Sequence, residues 1–170
     1  RWCQYLAELR TSIATIPEGI QRPISFISSA EPEGYTLPAC FDPTLSTLYG
    51  WGGQRVEQAK AAAADAIIVA LGTNDIGTLH KSPEEIVACL AAMTAIANPL
   101  RSFIATIPPN LLAADDTDFI VANALIRNVF PPQDVIDFDT GFGIDLFLPD
   151  GVHLNDPGQR LRAQRANDKV

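Results

Sequence analysis

The residues with the most chemistry in them are Asp150-Gly151-Val152-His153 and Gly72-Thr73-Asn74-Asp75. An aspartate three residues before a histidine, across a glycine turn, can bring its carboxylate back to one ring nitrogen. That contact fixes the imidazole tautomer, frees the other nitrogen to take a proton from a hydroxyl, and stabilises the imidazolium that forms. His153 is therefore a candidate general base and Asp150 its orienting group. Asn74 follows the apolar run Ala66–Leu71. Its side-chain amide would stand at the lip of a sheet and could donate to the oxyanion of a tetrahedral intermediate, a contact worth roughly 3 kcal/mol in enzymes that use one. Gly52-Gly53 could present a bare backbone N–H to the same oxygen, because a residue without a Cβ approaches a ligand closely. Gly53 is the candidate there. Together these types suggest ester cleavage through a serine.

Each group also has a plainer reading. Asp150 and His153 could form a surface turn with an incidental histidine. Thr73, Asn74 and Asp75 are all good cap and turn residues. Gly52-Gly53 could be a flexible turn, and His80 is expected on an exposed loop. Trp51 suits a sugar-binding surface or packing on the helix that follows it. Their order along the chain and their placement at strand ends favour the chemical reading.

Those placements come from a coarse reading of the elements. Trp2–Ile13 has helical apolar spacing, and Pro23–Ser28 reads as a strand. Ala30–Ser46 is rich in Pro, Gly and acidic residues and reads as a long surface loop. Leu45–Tyr49 is a weaker strand, Gly50–Gly53 a turn and Arg55–Asp65 an alanine-rich helix. Ala66–Leu71 is continuously apolar, as a strand covered on both faces should be. Ser82-Pro83-Glu84-Glu85 opens a helix to about Ala97 as a capping box with proline in the first turn. Ser102–Ile107 reads as a strand, Thr117–Val129 as a helix with Phe119, Ala122 and Ile126 on one face, Val135–Phe138 as a short strand and Pro157–Ala166 as the last helix. Strands alternating with helices predict an α/β fold, a parallel sheet between helix layers, with its site at the carboxyl ends of the strands.

The 170 residues suffice for one domain with a full core, at 47% hydrophobic and 19% charged. The net charge of −8 disfavours nucleic acid and anionic membrane as partners and leaves room for a neutral or cationic small substrate. No apolar run approaches the ~20 residues of a membrane span. Cys3, Cys40 and Cys89 lack metal-ligand spacing. The chain starts at Arg1 with no visible signal peptide, so a processed start or a fragment is expected. Compartment and oligomeric state stay open.

The ordered set resembles the SGNH (GDSL-type) hydrolase superfamily of esterases and lipases, defined by blocks carrying a Ser, a Gly, an Asn and a His. Three blocks match: Gly53 in Gly-Trp-Gly-Gly-Gln-Arg, Asn74 in Gly-Thr-Asn-Asp, and His153 with Asp150 in Asp-Gly-Val-His. A finer likeness is to the secreted carbohydrate-esterase branch, which includes acetylxylan esterases. It rests on Trp2–Leu9, Ser25–Ser29, the loop Ala30–Thr47 and the turn from Gly50 to Arg55. The resemblance implies a three-layer α/β/α, flavodoxin-like fold. It implies a serine nucleophile, His153 as base, Asp150 as its orienter, and Gly53 and Asn74 as oxyanion donors. It implies no metal or organic cofactor, an acyl or acetyl ester of carbohydrate or small lipid as substrate, and secretion as one compartment. The family's Gly-Asp-Ser block is not in this chain and is expected shortly upstream of Arg1, together with a first, central strand. Ser28 and Ser29 are the local substitutes, without the Gly-Asp context. A non-catalytic relative that binds glycan or acyl ligand in the same cleft is the alternative. A flavodoxin-like nucleotide-binding domain is a third reading, opposed by the lack of a phosphate-binding glycine loop at a helix start.

Overall fold

The structure is a computed structural model. It describes residues 25–28, 66–77, 80–109 and 117–170, and for 25–28 the backbone alone. Among the described residues four parallel strands, β1 (Ser25–Ser28), β2 (Ala66–Ala70), β3 (Arg101–Ala105) and β4 (Val135–Ile136), form one sheet in the order β1-β2-β3-β4. The register carries one row across it: Ile27 beside Val69, Val69 beside Ile104, Ile104 beside Val135.

Strand β2 is apolar throughout because both its faces are covered. Ile67 and Val69 join one core cluster, and Ala66 and Ile68 join the other. The first cluster is closed by α2 (Pro83–Ala97) and α3 (Thr117–Val129). They contribute Ile86, Leu90 and Met93, and Phe119, Ala122 and Ile126. The second is closed by α4 (Asp156–Lys169), whose Ala163 and Ala166 meet Ile68, Phe103 and Phe138. These are the three layers α/β/α that the alternation of elements predicts. No helix among the described residues is long and apolar enough to cross a membrane.

Local chemistry sets the ends. The Ser82 hydroxyl accepts from the Glu85 N–H at 3.2 Å, and the Glu85 carboxylate accepts from the Ser82 N–H at 3.0 Å, so α2 starts where the capping box places it. Strand β4 stops earlier than the predicted Val135–Phe138. The Phe138 N–H donates to the Thr106 hydroxyl at 2.7 Å, and the Asp137 carboxylate takes the N–H groups of Asp139 and Thr140, so none of these continues a ladder. Helix α4 begins one residue before the predicted Pro157, because the Asn155 side chain accepts from the Gly158 N–H at 3.0 Å, and it runs on past Ala166. A short helix, α1 (Thr73–Gly77), follows β2, and Thr73, Asn74 and Asp75 form its first turn instead of standing before it as a cap. The readings of Trp2–Ile13, Ala30–Ser46, Leu45–Tyr49, Gly50–Gly53 and Arg55–Asp65 lie outside the described residues.

Candidate active site

The Asp150-to-His153 turn is built from its own backbone. The Leu148 N–H donates to the His153 carbonyl at 2.7 Å, and the Gly151 N–H to the Leu148 carbonyl at 2.9 Å. Gly151 sits at φ 65°, the left-handed region where a Cβ is costly. The reversal lets the Asp150 carboxylate act twice. Oδ1 accepts from the N–H groups of Val152 and His153, both at 2.9 Å, and Oδ2 lies 2.9 Å from His153 Nδ1. The backbone N–H groups of His153 and Val152, and then the ring, hold the Asp150 carboxyl well below the usual carboxylate range, at about 2. It is therefore ionised at any pH where an imidazole could serve as a base. With Nδ1 engaged by Asp150, Nε2 is the nitrogen left for a substrate or nucleophile proton. The His153 side chain is 75% exposed, so that proton path is open.

Asn74 is exposed on α1, one turn of chain beyond β2. Gly72, at φ 122°, makes the bend between them. A Cβ there would lie 2.5 Å from Ile107 Cδ1, so a side chain at position 72 would have to displace the end of the buried Ile107 as well as adopt an unfavourable dihedral.

Asn74 and His153 line one cleft of about 190 Å³. Ala70 and Leu71 at the end of β2 form one wall, Thr106 and Pro108 beyond β3 a second, and Gln159 and Arg162 of α4 a third. The cleft thus opens at the carboxyl ends of parallel strands. Among the described residues no carboxylate lines it, and Arg162, whose guanidinium stacks 4.7 Å from the Phe138 ring, brings the one permanent charge. The net charge of −8 belongs to the whole chain and not to this cleft. No serine is among the described lining residues. The backbone of Ser28 pairs in register with Ala70, so β1 ends beside the cleft; Ser29 lies outside the described residues. Among the described residues no group of three or more His, Cys, Asp or Glu could hold a metal ion.

The crystal structure of a carbohydrate esterase family 3 protein from Talaromyces cellulolyticus matches with a TM-score of 0.71 at 20% identity, over 99% of this chain and 88% of that one. The crystal structure of an acetyl esterase, a serine-to-alanine variant with an acetate ion, matches with a TM-score of 0.61 at 21% identity, over 72% of this chain. The chain spans 65% of the length of that acetyl esterase. No protein-family description and no curated protein sequence matches. The fold is that of these esterases.

Within that esterase fold, the candidates read from the sequence divide as follows. Asp150 and His153 are hydrogen-bonded, and His153 shares a cleft with Asn74. Gly53, with Gly52 and Trp51, lies outside the described residues. His80 is exposed. Two lining residues, Gln159 and Arg162, were missed. Their spacing of three on the last helix was the available signal, because it puts them on one face. Asn123 was also missed. It is 1% exposed on the apolar face of α3, and a polar residue at an apolar-face position is a visible anomaly.

Proposed function

We propose that this chain is the greater part of a serine-type ester hydrolase of the SGNH (GDSL-type) kind, cutting acyl or acetyl esters with carbohydrate as the expected alcohol portion. The observation that carries the reading is His153, tethered through Nδ1 to Asp150, facing the same cleft as the Asn74 amide at the carboxyl ends of β2 and β3. His153 Nε2 takes the proton of a serine hydroxyl as its oxygen attacks the ester carbonyl. The Asn74 amide, with the Gly53 N–H, holds the resulting oxyanion. Collapse expels the alcohol, which takes the proton back from His153, and leaves an acyl-serine. Water, deprotonated by the same nitrogen, then releases the carboxylic acid and regenerates the serine. Asp150 orients the ring throughout. The serine is expected in a Gly-Asp-Ser block upstream of Arg1.

The test is a chromogenic acetyl-ester assay on three proteins: this chain, a longer form carrying the upstream segment, and that longer form with His153→Ala. Turnover is expected in the longer form, at most background in this chain, and loss of most turnover with His153→Ala. Equal activity with and without His153 would remove the general-base role. Strong activity in the short chain would point to Ser28 or Ser29 as the attacking group. A second reading, a non-catalytic relative that binds glycan or acyl ligand in this cleft, is favoured by the lack of a Gly-Asp-Ser block in this chain and opposed by the retained Asp150, His153 and Asn74. An upstream coding sequence without Gly-Asp-Ser would support it.

A further inference from the structure

Beyond β3 the chain leaves the sheet, yet its backbone stays paired. The Ile107 N–H donates to Asn123 Oδ1 at 2.7 Å, and Asn123 Nδ2 donates to the Ile107 carbonyl at 2.8 Å. One buried amide on α3 thus does for Ile107 what a neighbouring strand would do, satisfying both of its backbone groups. The opposed donor and acceptor also fix which way the Asn123 amide is turned. Ile107 is itself 1% exposed, and its Cδ1 fills the space that a side chain at position 72 would take. Gly72 is the bend that sets down Thr73 and Asn74, and Pro108, next along from Ile107, lines the cleft. Asn123, Ile107 and Gly72 form a contiguous stack that ends two residues before the candidate oxyanion donor Asn74.

We infer that Asn123 is a positioning residue for Asn74, acting through the Ile107 side chain on the Gly72 bend. The inference rests on the reading of Asn74 as an oxyanion donor, but the stack itself is checked without any hydrolysis. The experiment follows the Gly72, Thr73 and Asn74 signals, including the Asn74 side-chain amide, by nuclear magnetic resonance of the 170-residue chain. The variants are Asn123→Asp, Ile107→Val and a control, Asn128→Asp, at an exposed position on the same helix.

In Asn123→Asp the ionised carboxylate can accept from the Ile107 N–H but repels its carbonyl. Burial raises the pKa of that new carboxyl, so the protonated form restores the donor as pH falls. The 72–74 signals are expected to be displaced at neutral pH and to return toward their original positions in mild acid, with no such change in the control. Ile107→Val, which removes Cδ1 and leaves the amide clamp, is expected to shift the same signals. It decides the question if the Asn123→Asp variant does not fold. Movement confined to 106–108, with 72–74 unchanged in both variants, would overturn the inference. In the serine-bearing longer form, Asn123→Asp is expected to lower kcat roughly 10- to 100-fold with KM nearly kept, as small misplacements of a catalytic group do. If the longer form shows no turnover at all, the hydrolase reading fails while the resonance result still stands or falls by itself.

Discussion

Asp150 has two separate jobs, and a single substitution can pull them apart. Its Oδ1 holds the turn through two backbone N–H groups, and its Oδ2 holds the His153 ring. Asparagine at this position could keep an oxygen toward the backbone while turning an NH₂ toward Nδ1, which selects the wrong imidazole tautomer. Asp150→Asn is therefore expected to leave the fold intact and to lower kcat of a serine-bearing form by up to about 10⁴-fold, the loss a tautomer defect gives in a triad. The half-exposed setting of Asp150 places the expectation below that limit. A variant with full activity would show that the ring is oriented by something else. The carboxyl pKa of about 2 fixes the sign of the pH effect. It lies below the unfolded value of 3.8, so the turn's stabilisation is complete above about pH 4 and lost as pH falls through 2. An amide titration should show the Val152 and His153 N–H signals moving in that window.

At the scale of elements, the bend between β2 and α1 is the most demanding junction. Gly72 combines φ 122° with a side-chain space already filled by Ile107 Cδ1. Gly72→Ala is expected to cost about 1–3 kcal/mol, from overpacking and from a dihedral that alanine resists. Urea unfolding would measure it, and a loss below about 0.5 kcal/mol would mean that the bend relaxes easily. The start of α2 is held by interactions within four residues, the Ser82–Glu85 box, and was readable as a motif. The junction at Gly72 depends on Ile107, thirty-five positions along (107 − 72), and its tightness could not be read from Gly-Thr-Asn-Asp alone.

Across the whole molecule, a charged cluster ties the end of β4 to α3 and α4. Arg127 reaches Asp137 at 3.2 Å and Asp139 at 2.8 Å, and Arg165 donates to the carbonyls of Asp137 at 2.8 Å and Thr140 at 2.6 Å. Burial pushes the Asp137 carboxyl up, but the N–H groups of Thr140 and Asp139, and Arg127, outweigh it and bring the pKa to about 2. Its folded pKa is thus below the unfolded 3.8, so its stabilisation is present above about pH 4 and disappears as pH falls through 2. Thermal unfolding measured between about pH 5 and pH 2 should show Tm falling in that window, and Asp137→Asn should flatten part of the fall. An unchanged pH dependence in the variant would move the effect to other carboxylates.

What the sequence determined by itself was whatever is settled within a few residues or by a face-to-face pattern. The continuous apolar run of β2, the capped start of α2, the face of α3 and the Asp-Gly-Val-His turn all belong here. Each follows from local hydrogen bonding, dihedral preference or alternating burial, and so was legible without a partner. Tertiary structure decided the rest. Asn74 and His153 face one cleft only because parallel β2 and β3 end at the same edge and α4 packs beside them. Strand β4 ended early because a threonine hydroxyl beyond β3 captured the N–H of Phe138. Asn123 went unread because its partner, the backbone of Ile107 beyond β3, is set against it only by the fold. Pairings between segments far apart in the chain leave no periodic trace in either segment, since each donor or acceptor is satisfied by a group whose position only the packed sheet and helices define.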